Sequence, residues 1–175
     1  MSDAADAAIV RARGALVAAR EALVAADARD EALAVFEPSR RVLGIARKPK
    51  MRPIGRVWRL GVLLIGTDGT LHATGEVTRA TPPGRATFQA NSAEVRRVYR
   101  AAAFEGPFAR DETVNFHTRE LALDAAALAA SDGPVLLRDD ELLVRWNPSF
   151  DDAVIPFDRY LADRLGLLLD PPEGA

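Results

Sequence analysis

The apolar residues of this chain first change their spacing across a stretch without a single acidic residue. Before it, Ile9, Leu16 and Leu23 recur every seven residues, as do Val10, Val17 and Val24, with alanines between them and Arg11, Arg13, Arg20 and Glu21 elsewhere. That spacing predicts a helix from about residue 4 to residue 28. After it, "VWRLGVLLIGTDGTLHATGEVTRA" alternates with a period of two, the pattern of half-buried strands. Between them runs "RRVLGIARKPKMRPIGR", Arg40 to Arg56, which holds Lys48 and Lys50, the only lysines of the chain. Gly44, Pro49, Pro53 and Gly55 exclude a regular helix from Leu43 to Val57, so the cations sit on extended or turning backbone.

A helix of that length spans ~37 Å at 1.5 Å per residue, close to the ~40 Å diameter expected of a compact chain of this size. Part of it is therefore free to overhang and pair with a second subunit through the Ile9, Leu16 and Leu23 face. Asp30-Glu31 opens a short helical stretch to Phe36, and Pro38 ends it. Val57–Ile65 and Leu71–Thr78 form a hairpin turning at Asp68-Gly69, a dipeptide suited to a type I′ turn. With a two-residue loop, Trp58, Leu60, Val62 and Leu64 share the core face with Ala73, Gly75 and Val77. His72, Thr74, Glu76 and Thr78 line the other face with Leu63 and Ile65; a three-residue loop shifts the pairing by one and mixes the faces.

"TPPGRATFQA" is a loop, and Asn91 with Glu94 opens a helix in a capping-box variant. That helix buries Val95, Val98, Tyr99 and Ala102 and turns Arg96, Arg97 and Arg100 away. "TVNFHT" is a strand with Val114 and Phe116 inward and Asn115 and His117 outward. A short helix lies near Asp124–Ala130. A second hairpin turns at Asp139-Asp140, with Arg138 opposite Glu141 and Val135, Leu137, Leu142, Val144 and Trp146 on one face. A last helix uses Phe157, Leu161, Leu165 and Leu168, and Pro171-Pro172 stops it. Strands arriving in hairpins predict an α+β fold: an antiparallel sheet of about five strands, built from two hairpins plus one strand, with a long N-terminal helix and two or three further helices. The organisation reads as an N-terminal helical extension (1–37), a basic connector (38–56) and an α+β domain (57–175).

The net charge of −2 hides a segregated pattern. Residues 1–37 carry four Arg and seven Asp/Glu, residues 38–100 thirteen Lys/Arg and three Asp/Glu, and residues 101–175 six Arg and fifteen Asp/Glu. Either the basic middle pairs with the acidic C-terminal part, within one molecule or across a dimer, or it stays exposed for phosphate, nucleic acid or an acidic protein. Arg47, Lys48, Lys50, Arg52, Arg56 and Arg59 are the candidate anion-binding residues, with Arg96, Arg97 and Arg100 as an extension of the patch. No aromatic residue lies between Arg40 and Val57, so nucleic-acid binding there is electrostatic and salt-dependent rather than stacked.

Few other chemistries find support. The absence of Cys removes disulfides and thiolate sites. No apolar run reaches the roughly 18 residues of a membrane span, and the N-terminus lacks the apolar core of a signal peptide, so a cytoplasmic protein without membrane partners is expected. His72 and Glu76 lie about 13 Å apart on a strand and cannot share a metal. His72, His117 and Asn115 form a polar face only if their strands are neighbours; that face is the one candidate site for a small enzyme. No serine sits in a hydrolase or amidase motif, no glycines form a nucleotide loop, and the acidic clusters lack calcium-loop spacing. No cofactor is implied. The leading expectation is a non-catalytic interaction domain that forms a homodimer.

"WRLGVLLIGTDGTLHATGEVTR", with "LLVRWNPS" and "YLADRLGLLLDPPEGA" further on, resembles a family of short, uncharacterised proteins of high-G+C bacteria. The likeness runs from about Val57 to the C-terminus, with the first 50 or so residues as an addition. The family has no established activity, so the resemblance implies neither a mechanism nor site residues.

Overall fold

Helix α1 runs from Asp3 to Ala25. Asp3 and Asp6 sit in its first turn, where carboxylates complement the partial positive charge of a helix N-terminus. It closes in a Schellman arrangement: Ala28 N–H donates to Leu23 O and Asp27 N–H to Val24 O, with Asp27 at φ 49° in place of the usual glycine. Ile9, Leu16 and Leu23 are buried together with Ala5, Ala8, Ala12 and Ala19. The face expected to pair with a second subunit is therefore spent inside the chain. Its area is needed to cover Trp58, Leu60, Leu63, Tyr160 and Leu161. Val10, Val17 and Val24 face outward.

The computed structural model describes residues 3–42, 45–84 and 91–171. After α1 the chain forms β1 (Glu31–Glu37), β2 (Arg40–Val42), β3 (Ile45–Arg47), β4 (Lys50–Leu60), β5 (Leu63–Gly66), β6 (Leu71–Ala73) and β7 (Glu76–Arg79). Then come α2 (Asn91–Phe104), β8 (Thr113–Phe116), β9 (Arg119–Glu120), α3 (Ala125–Ala129), β10 (Val135–Arg138), β11 (Glu141–Arg145), β12 (Val154–Pro156) and α4 (Phe157–Leu169). The chain divides into two compact units. The first takes residues 1–29, 58–74 and 119–175, and the second takes residues 30–57 and 75–118. The linear division into extension, connector and domain thus gives way to two discontinuous units.

In the second unit the hydrogen-bonded order is β7-β8-β1-β4, and in the first it is β4-β5-β6-β9, with β4 contributing to both. Counted through β4, the ladder has seven strands. It is mixed rather than antiparallel, because β1 runs parallel to β8. A second sheet in the first unit has the order β10-β11-β12.

Strand β1 replaces the helix expected at residues 31–36. Ala32, Leu33 and Ala34 are all buried, and β1 is paired on both sides, with β4 and with β8. A short apolar run buried on both faces has no periodicity to separate strand from helix. The prolines of the basic stretch are absorbed by β4 itself. Leu33 pairs with Gly55 and Ala34 with Pro53, which leaves Ile54 as the extra residue of a bulge beside a proline that cannot donate. Residues 40–56 are thus largely strand, not connector; Leu43 and Gly44 lie outside the described residues.

The expected first hairpin is really two turns. Gly61, at φ 63°, ends β4, and a Cβ there would overlap the Tyr160 hydroxyl. That hydroxyl accepts from Val62 N–H at 2.8 Å and donates to Leu60 O at 3.1 Å. Between β5 and β6 the register pairs Leu63 with Ala73 and Ile65 with Leu71, so the loop has three residues, Thr67 to Gly69. The Asp68 carboxylate causes this by accepting from both the N–H and the hydroxyl of Thr70, while Gly69 takes φ 92°. The faces mix accordingly: Leu63, Leu64 and Ile65 are all buried and Val77 is exposed.

The second hairpin keeps its expected register, Arg138 opposite Glu141. Asp139 and Asp140, at φ 49° and 60°, supply the two left-handed positions of a type I′ turn. Val135, Leu142 and Val144 are buried, but Trp146 lies past the end of β11 and is 46% exposed. In α4, Phe157 and Leu161 enter the core with Tyr160, which the heptad-like spacing did not single out. In α2, Ala102 and Ala103 are buried while Val95 is exposed; the Asn91 side chain lies outside the described residues. Each unit has its own core. That of the second is built on Ala32, Ala34, Met51, Ala102, Val114 and Phe116.

Candidate nucleic-acid interface

Strands β2 and β3 form a two-stranded ribbon in which Arg40 pairs with Arg47 and Arg41 with Ala46. Like charges directly opposite one another destabilise a strand pair. Arg40, Arg41, Arg47 and Lys50 are exposed; Lys50 stands opposite Glu37 in the β1–β4 register, and among the described residues no ion pair links any of the four to a carboxylate. At the base of the ribbon Lys48 reaches Glu105 at 3.7 Å, with the two side chains 81% and 55% exposed. A contact that long and open contributes little. Lys48 and Pro49 line a shallow depression of about 100 Å³ with Arg97, Val98 and Ala101 of α2. Arg97 is held by a two-pronged contact with Glu94, at 2.6 and 2.8 Å. The hydrogen bond raises the Arg97 pKa and lowers that of Glu94. Arg96 and Arg100 are exposed on the same helix.

The cations further along β4 are committed within the unit. Arg52 Nε donates to Glu37 at 3.0 Å. Arg56 bonds Asp30 through Nε and Nη2 and Glu112 through Nη1. Its pKa is pushed further above the ordinary guanidinium value, first by the Asp30 hydrogen bond, against partial desolvation, and then by Glu112. Arg59 is half-buried and belongs to the first unit. Of the six candidate cations, Arg47, Lys48 and Lys50 thus share the ribbon and its base, Arg52 and Arg56 serve the fold, and Arg59 stands apart. Arg40 and Arg41 were not among the candidates; only the strand register brings them to Arg47.

The fold preserves the charge segregation of the sequence. The second unit carries thirteen Lys/Arg against eight Asp/Glu, a net +5, and the first carries ten against seventeen, a net −7.

The histidines are not brought together. His72 lies on β6, which pairs with β5 and β9, whereas β8 pairs with β1 and β7, so the condition for a shared polar face is not met. His72 is buried, and its Nε2 lies 2.9 Å from the Thr70 hydroxyl oxygen. The hydroxyl proton is directed to Asp68, so this oxygen accepts from Nε2–H. Thr70 also holds the Asp68 carboxyl below the usual carboxylate range, chiefly through its hydroxyl and then through its N–H. His117, at φ 51°, contacts Glu76 at 3.1 Å and packs against Phe116, Tyr99 and Phe36. Asn115, expected to face outward, is fully buried and donates to Glu31 and Ala32 O. Among the described residues no group of three His, Asp or Glu side chains could hold a metal ion, and no helix is long and apolar enough to cross a membrane.

No protein-family model, no curated protein and no solved structure matches this chain. The resemblance to short proteins of high-G+C bacteria gains no support from them.

Proposed function

We propose that the second unit binds the phosphate backbone of nucleic acid through the β2–β3 ribbon, as a non-catalytic module. The observation that carries this reading is the Arg40–Arg47 cross-strand pair: two guanidiniums opposed across a ladder, flanked by Arg41 and Lys50, none of them in an ion pair with a carboxylate among the described residues. A folded chain that keeps a repulsive pair exposed gains from an external anion what it lacks internally. A two-stranded ribbon also fits the major groove of duplex DNA. The ribbon has no aromatic side chain, so phosphate contacts and counterion release dominate, with a salt slope of about −0.9 per phosphate neutralised. Arg96 and Arg100 add exposed cations on α2 of the same unit.

The test is fluorescence anisotropy of a labelled duplex DNA with the full chain, at low and at physiological salt. Binding at low salt that weakens steeply with added salt is expected. The Arg40→Ala, Arg41→Ala, Arg47→Ala, Lys50→Ala variant should lose it while keeping its melting temperature, since none of the four has an ionic partner among the described residues. An unmodified chain that fails to bind at low salt ends the reading. So does polyglutamate that binds more tightly than the DNA, which would identify an acidic polypeptide as the partner.

A further inference from the structure

The acidic first unit holds two arginines that are positioned by main-chain oxygens rather than by carboxylates. Arg13 Nη2 donates to Leu123 O at 2.6 Å, and Arg20 Nε donates to Thr67 O at 2.7 Å. They lie seven residues apart on α1, about 10 Å along its axis. Both line a cavity of about 380 Å³ whose other walls include Leu16, Leu71, Leu121 and Leu123. That volume falls in the range of small-molecule sites, which combine apolar walls with a few placed polar groups.

A carbonyl partner fixes the direction of a guanidinium but leaves its charge uncompensated and four of its five N–H donors unused. Neither acid that borders the cavity, Asp68 or Glu120, forms an ion pair with Arg13 or Arg20 among the described residues. Asp68 accepts instead from the N–H and the hydroxyl of Thr70, both through Oδ1. Glu120 is exposed on β9, and no ion pair links it to either arginine among the described residues. Two fixed cations against leucine walls match a ligand that is anionic at one end and apolar along its body.

We propose that this cavity binds small organic carboxylates, the carboxylate taken in two-pronged fashion by Arg13 or Arg20 and the aliphatic body laid on the leucines. A ligand as small as hexanoate is expected to bind in the millimolar range. Amide resonances of the full ¹⁵N-labelled chain are followed during titration with sodium hexanoate and, separately, with 1-hexanol, which has the same body without the charge. Saturable shifts at Thr70, Leu71 and Leu121 with hexanoate, and at least roughly tenfold weaker binding of hexanol, support the site, because charge-assisted pairing is then the larger contribution. Arg13→Gln with Arg20→Gln should abolish the difference between the two ligands. Equal binding of hexanoate and hexanol to the unmodified chain overturns the proposal, as does the absence of saturable shifts at these amides. Both outcomes are read on the unmodified chain, whatever the variants do to the fold.

Discussion

The two units use arginine in opposite ways. In the first, Arg13 and Arg20 lie along α1 with their guanidiniums on main-chain oxygens, inside a unit whose net charge is −7. In the second, Arg52 and Arg56 are consumed by carboxylates, while Arg40 and Arg47 face each other on a ribbon. Their cores differ as well. The first is built from large side chains on α1, α4 and two sheets, Trp58, Phe157 and Tyr160 among them. The second relies on five buried alanines, with Met51, Val114 and Phe116 as its larger members. The same residue type thus positions a cavity, ties strands together or presents charge, according to what its backbone places opposite it.

That contrast can be broken at its strongest point first. Leu23 is fully buried in the first core, so Leu23→Ala should cost about 2–5 kcal/mol in urea unfolding. A loss below about 1 kcal/mol would mean that α1 does not hold the core as described. Arg56→Met tests the second unit. Removing a cation shared by Asp30 and Glu112, with its side chain 43% exposed, should cost about 0.5–1 kcal/mol. The difference from the unmodified chain should shrink in high salt, because exposed pairs are screened; a salt-independent loss would point to packing instead. Asp68→Asn has the smallest expected effect at neutral pH, under about 1 kcal/mol, since an amide oxygen can still accept from Thr70. Its sign shows in acid. The folded-state pKa of Asp68 lies below the ordinary 3.8, so its contribution is complete above that value and is lost as pH falls through the lower folded-state value. The unmodified chain should therefore lose stability more steeply than the variant in that window; parallel acid limbs would contradict the assignment.

Legibility followed the same physical lines. α1 and α4 are long enough for their period to show, and the Arg138–Glu141 register follows from one turn. β1 is opaque because "EALAVFE" is apolar toward both sides, and its two ladders come from residues some twenty and eighty positions away. The Asp68-Gly69 turn misleads because a dipeptide rule omits Thr70, whose hydroxyl and N–H draw the aspartate into a longer loop. The basic stretch was visible as charge, but which of its cations are spent is decided by Asp30, Glu37 and Glu112, which come from outside it. Asn115 and the buried His72 show the same limit: alternation assigns a face, and what packs over that face decides whether it meets water.

The threading of the chain has a consequence during synthesis. The second unit has all its residues once position 118 is made, but α1 must wait for α4, which begins at Phe157. At roughly 5–20 residues per second, that delay is on the order of ten seconds. Through that interval the nascent protein carries the Ile9, Leu16 and Leu23 stripe without its final cover, a natural target for a ribosome-associated chaperone.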